Sequence, residues 1–164
     1  MLFGKKGFSL LELMTVLAIT IIISVVTFVS LYQRRNQGDI SDTAQEMVAL
    51  TQQAQSRAMT DESSTAWGIQ FDNKASASTS FYALFSGVTY SASATAAYYP
   101  LPADVCYANI LSGSSSTVVF SPLSGLPSAS ASVMLQNVAK GCTSSSTSGA
   151  STLSVSSQGV VTLQ

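Results

Sequence analysis

The sequence predicts an α+β protein: a long N-terminal helix, with a transmembrane half and an amphipathic half, packed on a small, mostly antiparallel β-sheet domain. Three observations lead there. Residues 13–32 are 20 consecutive positions without a charge, and a helix of that length spans roughly 30 Å, the thickness of a bilayer core. Between positions 40 and 58, apolar and small residues recur at spacings of three and four. Beyond residue 64 the pattern changes to short β-like segments separated by Ser, Thr, Gly and Pro.

The apolar run begins at Phe8, behind Lys5, Lys6 and Gly7, and carries one charge, Glu12. No Gly or Pro interrupts residues 8–32. A secretory signal would use Lys5 and Lys6 as its basic region, but its apolar core is only about 7–15 residues long. No small-x-small cleavage site follows the run, and such a signal has no use for Glu12. A plain single-pass anchor explains the run but not the carboxylate. A charge at the bilayer centre costs about 2.5–3.5 kcal/mol even on mild insertion scales, and less toward the edge. An intramembrane acid is therefore a functional residue whose partner must be sought.

The stretch KKGFSLLELM, residues 5–14, resembles the processing site of type IV prepilins and pseudopilins. In that family a short basic leader ends in Gly, prepilin peptidase cuts after it and methylates the new N-terminal residue, usually Phe, and a Glu stands fifth in the processed chain. The resemblance implies a leader over residues 1–7 with Lys5 and Lys6 as its basic residues. Cleavage would fall between Gly7 and Phe8, with methylation of Phe8, and Glu12 would be the fifth residue. Gly7 lets the backbone enter a peptidase cleft without a side chain in the way. The cut frees an amine on Phe8, which can pair with Glu12 of a neighbouring subunit. An unpaired charge in an apolar medium is expensive, so such a pair fixes axial register more than it adds net stability.

The resemblance also divides the chain. Residues 8–32 become a membrane and filament-core helix, residues 33–60 its amphipathic continuation, and residues 61–164 a β-rich globular domain. Arg34 and Arg35 at the exit suit headgroups or a helix end. Gly38 allows a break, with Asp39 or Ser41 restarting the helix. The stripe Ile40, Ala44, Met47, Val48, Thr51, Ala54 or Gln55, and Ala58 then reads as the face that packs on the domain. The family often has a helix-breaking Gly or Pro in the membrane half, and residues 8–31 have neither. Charge counting leaves the topology open, because Lys5 and Lys6 flank one end and Arg34 and Arg35 the other. The resemblance places the leader in the cytoplasm and the remainder outside.

In the domain, residues 66–71 read as a strand with Trp67, Ile69 and Phe71 on one face, and Asp72-Asn73-Lys74 as a turn. Residues 80–85, 117–121 and 131–138 read as further strands. Residues 98–102, YYPLP, suit a sheet edge or loop. Residues 152–156 and 160–163 read as a hairpin with Gly159 in its turn. The Ser-, Thr- and Ala-rich stretches 75–80, 91–97, 112–116 and 144–151 read as solvated loops. VVFSPLSGLP (118–127), ASVMLQNV (131–138) and LSVSSQGVVTL (153–163) resemble the H-type pseudopilin domain of type II secretion and its minor-pilin relatives.

Cys106 and Cys142 are the only cysteines, and both fall in the part the resemblance places outside the cytoplasm. An oxidising compartment favours a disulfide over two buried thiols. Such a loop closure contributes roughly 3–4 kcal/mol in the chain-entropy model. There is no histidine, which removes the commonest general base and metal ligand. A Ser nucleophile would have only Lys74 or Lys140 beside it after processing, neither in a recognisable motif. Asp72-Asn73 reads as a turn before a Ca²⁺ site, and no cofactor or metal is expected. After loss of the leader, five basic side chains face eight acidic ones, which gives no footprint for nucleic acid.

These readings point to a non-enzymatic subunit, a minor pilin or pseudopilin, serving a type IV pilus or a type II secretion machine. Its partners would be prepilin peptidase, other pilin or pseudopilin subunits, an inner-membrane assembly platform and membrane lipid. Before assembly it would be a single-pass inner-membrane protein with its domain in the periplasm or at the cell surface. The alternatives are a membrane-tethered binding module for DNA uptake or adhesion that never polymerises, and a membrane-anchored hydrolase.

Overall fold

The computed structural model describes residues 9–60, 62–74, 79–142 and 149–164, with the backbone alone at 28–37, 63 and 140. The chain divides into two compact units, Met1–Arg35 and Asn36–Gln164. Helix α1 covers Leu10–Met59. It runs through Gly38 without the break that the sequence allowed. A glycine inside a helix costs only about 1 kcal/mol, which a long helix absorbs.

Among the described residues eight strands follow: β1 (Trp67–Asn73), β2 (Phe81–Ser86), β3 (Thr95–Pro100), β4 (Val105–Tyr107), β5 (Ser114–Phe120), β6 (Ala131–Asn137), β7 (Ser151–Val155) and β8 (Val161–Leu163). They form two four-stranded sheets, ordered β3-β2-β1-β5 and β4-β6-β7-β8. Every pairing is antiparallel.

The second half of α1 supplies one side of the core. Ile40, Ala44, Met47, Leu50, Ala54 and Ala58 are buried together with Ile69, Phe71, Tyr82, Leu84, Val118 and Phe120 of the first sheet. Val133, Leu135, Leu153 and Val155 of the second sheet join the same cluster. Small residues at 44, 54 and 58 let the helix backbone lie close to the sheets. Thr51, fully buried, donates its hydroxyl to the Met47 carbonyl at 2.7 Å, which removes the cost of burying it. Leu50, outside the expected stripe, is buried, whereas Val48 is only partly so.

Four differences from the sequence reading have physical reasons. Asp72 and Asn73 are not a turn; they close β1, paired with Phe81 and with Ser115 and Ser114. The serines at 114–116 are not a loop but the exposed start of β5, and residues 95–97 belong to edge strand β3. Backbone pairing holds such segments in a sheet although their side chains carry no apolar signal. Strand β4 was not anticipated, being three residues long. Residues 67–71 and 81–85 are buried on both faces, so β1 and β2 are central rather than alternating strands. On the face turned from the main core, Phe81 and Phe85 pack with Tyr90, and Phe81 also packs with Tyr98.

Candidate functional site

The first turn of α1 is built by Ser9, whose carbonyl accepts the amides of Glu12 at 3.0 Å and Leu13 at 3.1 Å. Ser9 and Glu12 have the spacing of a capping box, and the carboxylate lies where the positive end of the helix favours it. Among the described residues no cation pairs with Glu12; the ion pairs there are Arg57–Glu62 and Lys74–Asp72.

Beyond it, Leu10–Thr27 is apolar, with a mean hydropathy of 2.4, and none of it is buried. Large side chains from Leu10 to Val26 are between 53% and 77% exposed. The hydroxyls of this stretch are satisfied within the helix. Thr20 donates to the Val16 carbonyl, Ser24 to that of Thr20 and Thr27 to that of Ile23, at 2.7–2.8 Å. Apart from the Glu12 carboxylate, a helix that bonds its own hydroxyls presents no unmet polar side chain to a hydrocarbon environment. Gly7, Phe8, Lys5 and Lys6 lie outside the described residues, as do the side chains of Arg34 and Arg35.

The opposite end of α1 is tied down by contacts that the sequence did not reveal. The Gln55 amide donates to the carbonyls of Gly125 at 3.1 Å and Gly159 at 3.0 Å. The Leu123 amide donates to the Ala58 carbonyl at 2.8 Å, which satisfies one of the orphan acceptors at the helix end. Gly125 and Gly159 both have positive φ, +61° and +81°. A side chain on Gly125 would run into Met59, and one on Gly159 would stand 2.6 Å from the Gln55 amide nitrogen. The SPLSG turn and the C-terminal hairpin are thus joined through one helix side chain. The sequence places Gly159 in a hairpin turn and makes Gln55 an alternative stripe position; no local pattern marks either as a contact of the other.

A disulfide links Cys106 of β4 to Cys142, with 5.9 Å between Cα atoms across a sequence separation of 36. Gly141 and Cys142 both have positive φ, which turns the chain back toward β4. The remaining candidates are occupied otherwise. Asp72 pairs with Lys74 at 3.2 Å, and the Asn73 side chain contacts Ser80 and the Ile110 carbonyl. Among the described residues no group of three His, Cys, Asp or Glu side chains is placed to hold a metal. Glu62 accepts the Trp67 indole at its carbonyl and faces Arg57 at 3.6 Å, while Arg57 lies over the Trp67 ring. Tyr82 donates to the Glu46 carboxylate at 2.7 Å; burial first, then that carboxylate, pushes the Tyr82 phenol well above its ordinary range. Burial does the same to Tyr107, which donates to the Phe81 carbonyl.

An N-terminal apolar helix whose later turns are covered by antiparallel sheets is the type IV pilin-like fold. The solved structure of the type IV minor pilin FimU from Pseudomonas aeruginosa matches with a TM-score of 0.55 at 19% identity, over 77% of this chain and 89% of that one. A second crystal form of FimU matches with a TM-score of 0.53 at 18% identity, over 76% and 91%. No family model and no curated protein matches the chain. At this identity the likeness establishes the fold.

Proposed function

We propose that the chain is a non-enzymatic structural subunit of a type IV filament system, a minor pilin or pseudopilin. The observation that carries this reading is the fully exposed apolar segment Leu10–Thr27 with Glu12 in its first turn. Nothing in the chain's own described structure covers it, so lipid must cover it before assembly and like helices afterwards. The pilin-like fold and the motif at residues 5–12 support the same reading.

In this proposal a prepilin peptidase removes residues 1–7, with their Lys5 and Lys6, and methylates Phe8. The chain waits as a single-pass inner-membrane protein with its domain outside the cytoplasm. An inner-membrane platform then inserts it among other pilin or pseudopilin subunits, where the Phe8 amine of one copy meets Glu12 of the next. The type IV pilus and type II secretion are both served by this chemistry. The H-type pattern at 118–163 supports the second, and the likeness to FimU the first.

The test compares Glu12→Ala with the parent. Membrane insertion and cleavage after Gly7, read by N-terminal sequencing, should be unchanged, and incorporation into filaments should fall at least tenfold. A variant that assembles like the parent removes this role for Glu12. Parent chains that insert and are cut but never crosslink to one another would favour the tethered binding module instead.

A further inference from the structure

We propose that the outer face of the β3-β2-β1-β5 sheet holds a binding groove for a neutral oligosaccharide. This face is opposite the one that carries Ile69 and Phe71 into the core. A groove of about 400 Å³ lies on this face over β1 and β5, lined by Gln70, Thr89, Tyr90, Ser115, Thr117 and Ser128, with two valines completing it. None of these side chains is charged. The charge of Asp72 near the end of β1 is met by Lys74, just beyond the strand, at 3.2 Å.

The polar and aromatic parts of the groove are fixed in advance. Gln70 and Thr117 face each other across β1 and β5. Gln70 is 5% exposed, and its side-chain carbonyl accepts the Thr117 hydroxyl. Tyr90 meets Phe85 edge-on, with ring centres 5.5 Å apart, and lies 6.1 Å from Phe81. Phe85 itself fills the space over Gly68, where a Cβ would come within 2.8 Å of the ring. The ring of Tyr90 is thereby held before a ligand arrives, which lowers the ordering cost of binding.

The lining selects the ligand. Ser, Thr and Gln side chains both donate and accept, as sugar hydroxyls do, and an aromatic ring offers an electron-rich surface to sugar C–H groups. An anionic polymer would require cations that the lining lacks. An added peptide strand would need a free sheet edge, whereas the groove lies on a face. The other sheet provides a built-in control. Its groove of about 430 Å³ is also rich in hydroxyls, from Ser132, Ser154 and Thr162 among others, but has no aromatic or amide side chain.

The test is calorimetric titration of the full chain, held in a detergent without a sugar headgroup, with maltohexaose, cellohexaose and chitohexaose, and with hexagalacturonate as the anionic comparison. Saturable binding of at least one neutral probe is expected, weakened fivefold or more by Thr117→Val and by Tyr90→Leu, and unchanged by Ser154→Ala. Thr117→Val keeps the side-chain shape on a strand, and Tyr90→Leu alters a loop, so either variant that retains the parent's melting temperature decides the matter. Absence of saturable binding to all three neutral probes overturns the proposal. So does a loss below fivefold in a folded variant, or tighter binding of hexagalacturonate. The measurement uses unassembled chains, so its failure leaves the filament reading untouched.

Discussion

The two halves of α1 share one backbone helix and differ in where their apolar side chains are covered. From Ile40 to Ala58 the covered residues form a stripe, and the chain's own sheets cover it: Met47, Ala54 and Ala58 are fully buried. From Leu10 to Val26 apolar residues occupy all sides and none is buried. A stripe identifies a helix that packs on its own domain; an all-round apolar surface identifies one that needs an outside environment. Stability of the domain and assembly of the chain should therefore be separable by mutation.

The largest stability effect is expected at the disulfide. Cys106→Ser with Cys142→Ser should cost about 4 kcal/mol by loop closure across the 36-residue separation. Denaturant unfolding followed by the single tryptophan, Trp67, reads it. Next is Met47→Ala in the covered half, expected to cost about 3 kcal/mol through the cavity it leaves, near the middle of the range for such truncations. Gln55→Leu comes third. It leaves two glycine carbonyls without their donor and should cost about 1–3 kcal/mol. Hydrogen exchange in the 121–125 and 156–160 turns should rise with it.

Alkaline pH gives a graded effect. Tyr82 and Tyr107 have phenol pKa values raised by folding, so the folded state keeps protons that the unfolded state releases. Their contribution is complete below pH of about 10 and declines as pH rises past it, by roughly 1.4 kcal/mol per pH unit for each group. Tyr82→Phe or Tyr107→Phe should flatten that decline in unfolding measured across about pH 9–11. The smallest effect belongs to Val16→Ala in the uncovered half, expected within about 0.5 kcal/mol of the parent in domain unfolding. A large loss there would break the division between the halves.

Much of this was legible in the sequence, because long periodic signals survive without tertiary context. The 20-residue uncharged run, the stripe at 40–58 and the hairpin around Gly159 each follow from local pattern. The serines of β5 and the polar end of β1 were not legible, since only pairing with a neighbouring strand places them in a sheet. Gln55 was not legible as a clasp because its two acceptors lie 70 and 104 positions away. Tyr90 becomes an aromatic wall only because β2 places Phe81 and Phe85 beneath it, a contact that no local pattern marks.

The most direct measurement is site-specific photocrosslinking from Leu17, which is 53% exposed in the isolated chain. In assembling cells the expected products are adducts to neighbouring pilin-type chains, greatly reduced when Glu12→Ala is combined with the probe. Adducts to lipid alone, or chain-to-chain adducts indifferent to Glu12, would contradict the claim that this half of the helix finds its cover in like subunits.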